Sequence, residues 1–395
     1  MKSPNQEIEL LLCCARTHIE PHIEKHIKLL LQQDIDWTHL IQLSSHHRIM
    51  PLLWQSLKAT CLEAVPEEII TKLRSYYQVN ALRNDYLFQE LINLLEKLKT
   101  EGIRAVSFKG PSLSIIAYGK LSLRQFADLD ILVEKNNFLA AKKSLVEIGF
   151  QTTDDFKFAN STLEKLYFQE IDEVTLVKKE NLVFCDLHQG ITISHFRKNN
   201  IELSKLHNKL SNIILNKVEI NTIHPDYLLI LLCIHNTRHF WSQLNWICDI
   251  NELIYSNKSI NWSQVLKEAT SIGCKYHLLL GLYLSNYYLQ TEIPQDIQIA
   301  IKKSLRIKYL SRYVKTTIFT SSDRHPDQGF NINNFIYQLL LTNGWQGYKE
   351  ILAYFIVPNS KDKQILNLPS WLSFLYYFLR PVRLCSQLLK KYFHW

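Results

Sequence analysis

Through the first hundred positions, apolar side chains recur at three- and four-residue spacing, the period of an amphipathic helix. Ile8–Ile19, His22–Gln33 and Trp37–Leu43 carry it, and His47–Leu53 leads into a further short helix. Pro66-Glu67-Glu68 is a start signal. Proline suits the first helical turn, where an amide hydrogen is not needed, and acids suit the positive helix end. The stripe Ile69, Leu73, Tyr76, Val79, Leu82, Tyr86, Leu91 and Leu94 then predicts one long helix, stopping at Glu101-Gly102. The pattern changes at Ile103. Ile103–Phe108 and Phe126–Val133 read as strands, joined by the turn Lys109-Gly110-Pro111-Ser112 and a short helix over Leu113–Tyr118. Asn136–Ile148 is an amphipathic helix, Glu173–Val177 and Leu182–His188 predict a hairpin, and Lys217–Ile220 a short strand. Helical spacing returns over Tyr227–His239, Trp241–Tyr255, Ser263–Ser271, Tyr276–Tyr288, Gln295–Tyr313 and Asn334–Leu341, with a polar loop at Ser321–Gln328. The expectation is an α+β chain, mostly helical. A helical region over 1–100 precedes an α/β core with a small mixed or antiparallel sheet over 101–224, and a helical domain over 225–395 follows.

Composition supports this plan. Among 395 residues there are only 10 glycines and 11 prolines, too few for a large sandwich of short strands or a glycine-rich dinucleotide fold. Hydrophobic residues at 47% are enough for a real core. The net charge of +8 is concentrated late in the chain. Lys302, Lys303, Arg306, Lys308, Arg312 and Lys315 form one run without an acid, and Lys363, Arg380, Arg383, Lys390 and Lys391 another. Both runs suit solvated helix faces, or a site for an anionic partner. The 8 cysteines form no CxxC pair and lie among apolar neighbours, which fits buried thiols in a reducing cytoplasm. No stretch reaches 18 uninterrupted apolar residues, so no transmembrane span is expected. Trp371–Leu379 comes closest and reads as a packed C-terminal helix, with a membrane-surface position as the alternative. His46-His47 is expected on the surface at a helix end.

The strongest chemical signal is Asp128-Leu129-Asp130 within an apolar strand. Residues two apart share a strand face, so two carboxylates stand together, and a divalent cation is the usual remedy for their repulsion. Hard oxygen ligands suit Mg²⁺ or Mn²⁺. A chance DxD at a strand edge is the bland alternative. Two features count against it. Phe184-Cys185-Asp186-Leu187-His188 puts a third acid on a later strand, where an antiparallel neighbour would complete a three-carboxylate cluster. Lys109-Gly110-Pro111-Ser112 sits where a strand gives way to a helix, and its amides can meet phosphate oxygens, with Lys109 and Arg124 adding charge. Phosphate contacts beside a two-metal carboxylate site are the apparatus of phosphoryl or nucleotidyl transfer.

These residues resemble the uncharacterised nucleotidyltransferase family of the polymerase-beta superfamily. The resemblance is carried by Phe108–Leu113, Tyr118-Gly119, Arg124, Asp128–Val133, Asp186-Leu187-His188, His47–Leu53 and the stretch Leu231–Leu253 with His235, His239, Trp241, Trp246 and Asp249. It implies a small sheet of polymerase-beta type between helical regions. It implies that Asp128 and Asp130 hold two Mg²⁺ ions across the phosphates of an NTP such as ATP, and that Asp186 binds the metal at the attacking oxygen. It places Gly110 and Ser112 in the phosphate-contacting turn, from which Pro111 removes one amide donor. The acceptor, a small molecule, peptide or protein, is left open.

The helical histidines keep three readings. His235 and His239, four apart, suit zinc ligands, a packed pair, or the lining of a nucleotide or acceptor pocket, and no glutamate of the zinc-protease kind stands between them. Asp249 is a candidate partner, and His188 a neighbour of the cluster or an exposed strand end. Trp241 and Trp246 are expected in the core. Two other functions compete with NTP transfer: a metal-dependent glycosyltransferase using a nucleotide sugar through Asp128 and Asp130, and a non-catalytic nucleotide-binding protein.

Overall fold

The computed structural model describes residues 6–153, 171–194, 200–320, 332–358 and 370–393. The chain is α+β and mostly helical. It opens with α1 (Gln6–Cys14), α2 (Pro21–Leu30), α3 (Trp37–His46), α4 (Met50–Thr60) and the 34-residue α5 (Glu67–Thr100). The middle runs β1 (Ala105–Ser107), α6 (Gly110–Tyr118), β2 (Asp128–Val133), α7 (Phe138–Glu147), β3 (Gln151–Thr152), β4 (Glu173–Lys178), β5 (Val183–His188), β6 (Ile191–Thr192), β7 (Asn200–Ile201), β8 (Leu210–Leu215) and β9 (Val218–Ile223). The remainder is helical: α8 (Pro225–Arg238), α9 (Leu244–Ser256), α10 (Trp262–Ser271), α11 (Lys275–Leu289), α12 (Gln295–Lys303), α13 (Leu305–Thr317), α14 (Ile332–Leu341), α15 (Gly344–Ile356) and α16 (Tyr376–Phe393). The loop expected at Ser321–Gln328 lies outside the described residues.

Strands β1-β2-β5-β4-β3 form one mixed five-stranded sheet, and β6-β7 and β8-β9 form two small sheets. The β4–β5 hairpin pairs antiparallel, as its sequence predicts. The partner of β2 corrects one expectation: β5 runs parallel to it, not antiparallel. The short strand expected at Lys217–Ile220 is the second arm of a hairpin whose first arm, β8, has no clear period of its own.

Alternation in β2 and β5 divides the core. Leu129, Ile131, Cys185 and Leu187 point to one face, where they pack with Leu87, Phe88 and Leu91 of α5 and Phe138 and Leu145 of α7. Asp128, Asp130, Asp186 and His188 therefore point to the other. A second core joins α1–α4 to α6 and to α8–α14 in one apolar cluster.

The stripe read along α5 fails at its centre. Val79 and Leu82 are exposed, while Asn80 and Asn84 are buried. Asn84 donates to the carbonyls of Leu121 (2.6 Å) and Arg124 (2.8 Å), and Asn80 to that of Ser122 (3.0 Å). These amides satisfy the carbonyls of the loop that leads into β2, a need invisible to a hydrophobic period. The helix expected from Trp241 starts only at Leu244, because Phe240 and Trp241 have φ of 57° and 54°. The helix expected over Gln295–Tyr313 divides at Ser304, which caps α13 by accepting from the Ile307 amide. In the C-terminal segment, a 3-10 turn at Ser370–Leu375 leads into α16; Leu384 is buried there, whereas Phe378 and Val382 remain exposed. No helix among the described residues is long and apolar enough to cross a membrane.

Candidate active site

The parallel register sets Asp130 directly beside Asp186, with Asp128 one step along the same face. At the end of β1 the chain turns into α6 through Gly110. This glycine has φ +51°, and a Cβ on it would come within 3.0 Å of the Asp128 carbonyl oxygen. Glycine is thus required both for the turn and for the close approach of α6 to β2. Gly110→Ala is expected to cost about 1–3 kcal/mol from the left-handed backbone alone and to displace Asp128. Paired chemical denaturation and NTP-turnover assays check this, with turnover falling more than stability.

The three carboxylates differ in environment. Burial and the neighbouring Asp130 raise the Asp128 carboxyl, and the same two causes push Asp186 up to about 6, although Thr175 donates to it at 2.7 Å. Burial works against the charge on Asp130 too, but Lys109 and His188 outweigh it and hold Asp130 below the usual carboxylate range. Lys109 Nζ lies 2.6 Å from Asp130 Oδ1, and His188 Nε2 3.2 Å from the same oxygen. His188 Nδ1 is 3.2 Å from Glu173. Burial disfavours a charged His188, but these two acids overcome it and raise it to about 9, while His188 in turn draws Glu173 down to about 2. Among the described residues, Asp130, Asp186 and His188 present ligand atoms within 4.8 Å of one another. Four carboxylates thus face two cations, and the oxygen-rich donor set carries the excess negative charge that a divalent ion matches.

This cluster opens on a cavity of about 620 Å³ between the sheet and α8–α9. Ten of the eleven candidate site residues line it: Asp128, Asp130, Asp186, Lys109, Gly110, Arg124, His188, His235, His239 and Asp249. Ser112 does not; it is buried and its hydroxyl donates to Ser107 Oγ at 2.8 Å. Arg124 lines the cavity but is held by Asp249 in a two-pronged ion pair of 2.7 and 2.9 Å, and the Tyr118 hydroxyl donates to the same carboxylate at 2.8 Å. The rings of His235 and His239 are 4.7 Å apart, and Lys109 Nζ lies 3.5 Å from His235 Nδ1. Burial and the Lys109 charge hold His235 neutral, well below its ordinary range. Trp241 is buried, as expected of a core residue, whereas Trp246 lines the cavity with its ring 5.5 Å from that of His239.

Other lining residues escape a sequence reading. Glu173 faces His188 across the β4–β5 ladder, a pairing that the hairpin register could have revealed. Arg48, Asn236, Arg238, Gln243 and Asn245 lie within segments that carry the resemblance without being picked out by it, and Gln125 lies outside them. Among the described residues the amide oxygens of Gln125, Asn236, Gln243 and Asn245 are buried without a hydrogen-bond partner, while the Asn236 nitrogen donates to the Trp246 carbonyl at 3.2 Å. Of the basic C-terminal runs, Arg306 lies over the Tyr276 ring and donates to the Thr342 carbonyl, Lys315 donates to Tyr283, and Arg380 to the Tyr354 carbonyl.

His47 corrects another expectation. It is buried, and its Nδ1 accepts from the Leu244 amide at 3.2 Å while its carbonyl accepts from Asn245 at 3.2 Å. It ties α3 to the start of α9. Burial and its neighbour His46 push it down to about 3, so it stays neutral when folded. Its contribution is complete above the unfolded value near 6.5 and is lost as pH falls from there toward 3. Between pH 7.5 and pH 5 this amounts to about 2 kcal/mol. Urea denaturation at both pH values checks it, with His47→Gln expected to remove most of the difference.

Three carboxylates on one sheet face thus stand beside the N-terminus of α6 and open on a cavity of ligand size. Residues 33–290 match the family described as uncharacterised nucleotidyltransferase, which covers well over half of the chain. The protein belongs to this family and is a transferase. No curated protein matches the chain.

Proposed function

We propose that the protein moves a nucleoside monophosphate from an NTP to a hydroxyl or phosphate of an acceptor, releasing pyrophosphate, on a core of polymerase-beta type spanning 101–224. The observation that carries this reading is the pairing of Asp130 with Asp186 across parallel strands, with Asp128 on the same face and the Gly110 turn beside it. Asp128, Asp130 and Asp186 would hold Mg²⁺ or Mn²⁺, which when bound neutralises the triphosphate and the charge that develops on pyrophosphate. Asp128 and Asp130 would orient the triphosphate through the ion they hold, and Asp186 would receive the acceptor proton. The acceptor oxygen bonds to the α-phosphorus, and the bond to the α,β-bridging oxygen breaks, its electron pair leaving with pyrophosphate. The free buried thiols fit a reducing cytoplasm.

The test is to supply the four α-labelled NTPs, and separately UDP- and GDP-sugars, with Mg²⁺ and an extract of small molecules and peptides. Pyrophosphate release with label on an acceptor is expected. Nucleoside diphosphate release from a nucleotide sugar would identify a glycosyltransferase instead, and tight nucleotide binding without turnover a non-catalytic protein.

A further inference from the structure

The sequence pattern offers Lys109, Ser112 and Arg124 to the triphosphate, yet the fold engages all three elsewhere: on Asp130, Ser107 and Asp249. Four lysine or arginine side chains line the cavity. Beyond Lys109 and Arg124 these are Arg48 and Arg238, whose guanidinium groups make no hydrogen bond or ion pair among the described residues, and the Arg238 Nε is buried without a partner. Both line the same cavity as the carboxylate cluster. The Arg48 charge reaches Asp128, and the Arg238 charge reaches Glu173 and His235.

Arg48 is also costly where it stands. It follows α3 in the left-handed conformation, φ +55°, with its amide donating to the Ser45 carbonyl and the Ile49 amide to the Ser44 carbonyl. That is the helix-ending arrangement in which glycine is the unstrained residue. Glycine would close the helix without strain but would leave nothing at the cavity rim. His47 fixes this segment from the other side through Leu244 and Asn245. A strained residue held by its surroundings, with an exposed and uncommitted guanidinium, points to use of the side chain.

We propose that Arg48 and Arg238, both on the cavity wall, form a clamp for the β- and γ-phosphates. The assignment rests on the nucleotidyltransferase reading and adds the residues that grip the donor. Guanidinium groups suit it because their planar fork matches two phosphate oxygens at once.

The experiment is calorimetry on the full chain with Mg²⁺ and, in turn, the α,β-methylene analogues of the four NTPs, inorganic tripolyphosphate and the four nucleoside monophosphates. The variants are Arg48→Gly and Arg238→Gln. Each variant is expected to weaken triphosphate binding about tenfold or more, the loss of one charge-assisted contact, and to leave monophosphate binding nearly unchanged. Arg48→Gly is expected to keep or raise the melting temperature, because glycine relieves the left-handed backbone. If the wild-type chain binds a triphosphate and both variants bind it equally well, the clamp is wrong and the transfer reading stands. If the wild-type chain binds no triphosphate, the transfer reading falls and takes the clamp with it.

Discussion

Asp128→Asn is expected to lower nucleotidyl transfer by about a thousandfold or more, because a neutral amide of the same shape cannot replace a carboxylate that holds a divalent ion. The same change should leave stability intact or raise it slightly. Asp128 is disfavoured as an anion by burial and by Asp130, so removing its charge relieves repulsion. Asp130→Asn should abolish transfer as well but is a less clean test. Lys109, nearly buried, has its ion pair there, and its loss leaves a cation without its counter-charge. Breaking a buried pair on one side typically costs about 3–5 kcal/mol. Pyrophosphate release from labelled NTP, followed beside circular dichroism, separates the two effects. Unchanged Mg²⁺-dependent turnover in folded Asp128→Asn would remove the basis of the proposed reaction.

The second large effect is expected at Asp249. Its carboxylate, 1% exposed, carries the fork of Arg124 and the Tyr118 hydroxyl, linking α9 to α6 and to the loop before β2. Asp249→Ala leaves the Arg124 guanidinium buried and uncompensated, at a cost of about 3–5 kcal/mol. The double replacement Arg124→Met with Asp249→Leu removes both charges and should recover much of that loss. Activity should not return with stability, since the loop that delivers Asp128 is set by this pair and by the Asn84 bonds. Urea midpoints for the single and double variants check the claim. A loss below about 1 kcal/mol in Asp249→Ala would show that the pair is not the lock described.

The contrast between the two acids shows how much of the site a sequence can carry. Asp128 and Asp130 were legible because a period of two places them on one face of an apolar strand, and isolated charges in such a strand need a reason. Asp186 and His188 were legible in the same way, and so were the Lys109-Gly110 turn and, through the family resemblance, His235 and His239 as candidate pocket residues. Arg124 and Asp249 were named too, but not as each other's partners, because 125 positions separate them. Val79 and Leu82 misled the reading of α5, since a helical period records where apolar residues recur and not which backbone carbonyls a neighbouring loop leaves unpaired.

By itself, then, the sequence determined the alternation of helix and strand, the faces on which the carboxylates lie and the family to which the chain belongs. These follow from local spacing, which each segment carries whatever surrounds it. The tertiary structure decided the rest. It made β5 the parallel neighbour of β2, buried His47 against α9, committed Arg124 to Asp249 and left Arg48 and Arg238 at the cavity without a partner among the described residues. Each of these depends on contacts between segments distant along the chain, which local periodicity does not encode.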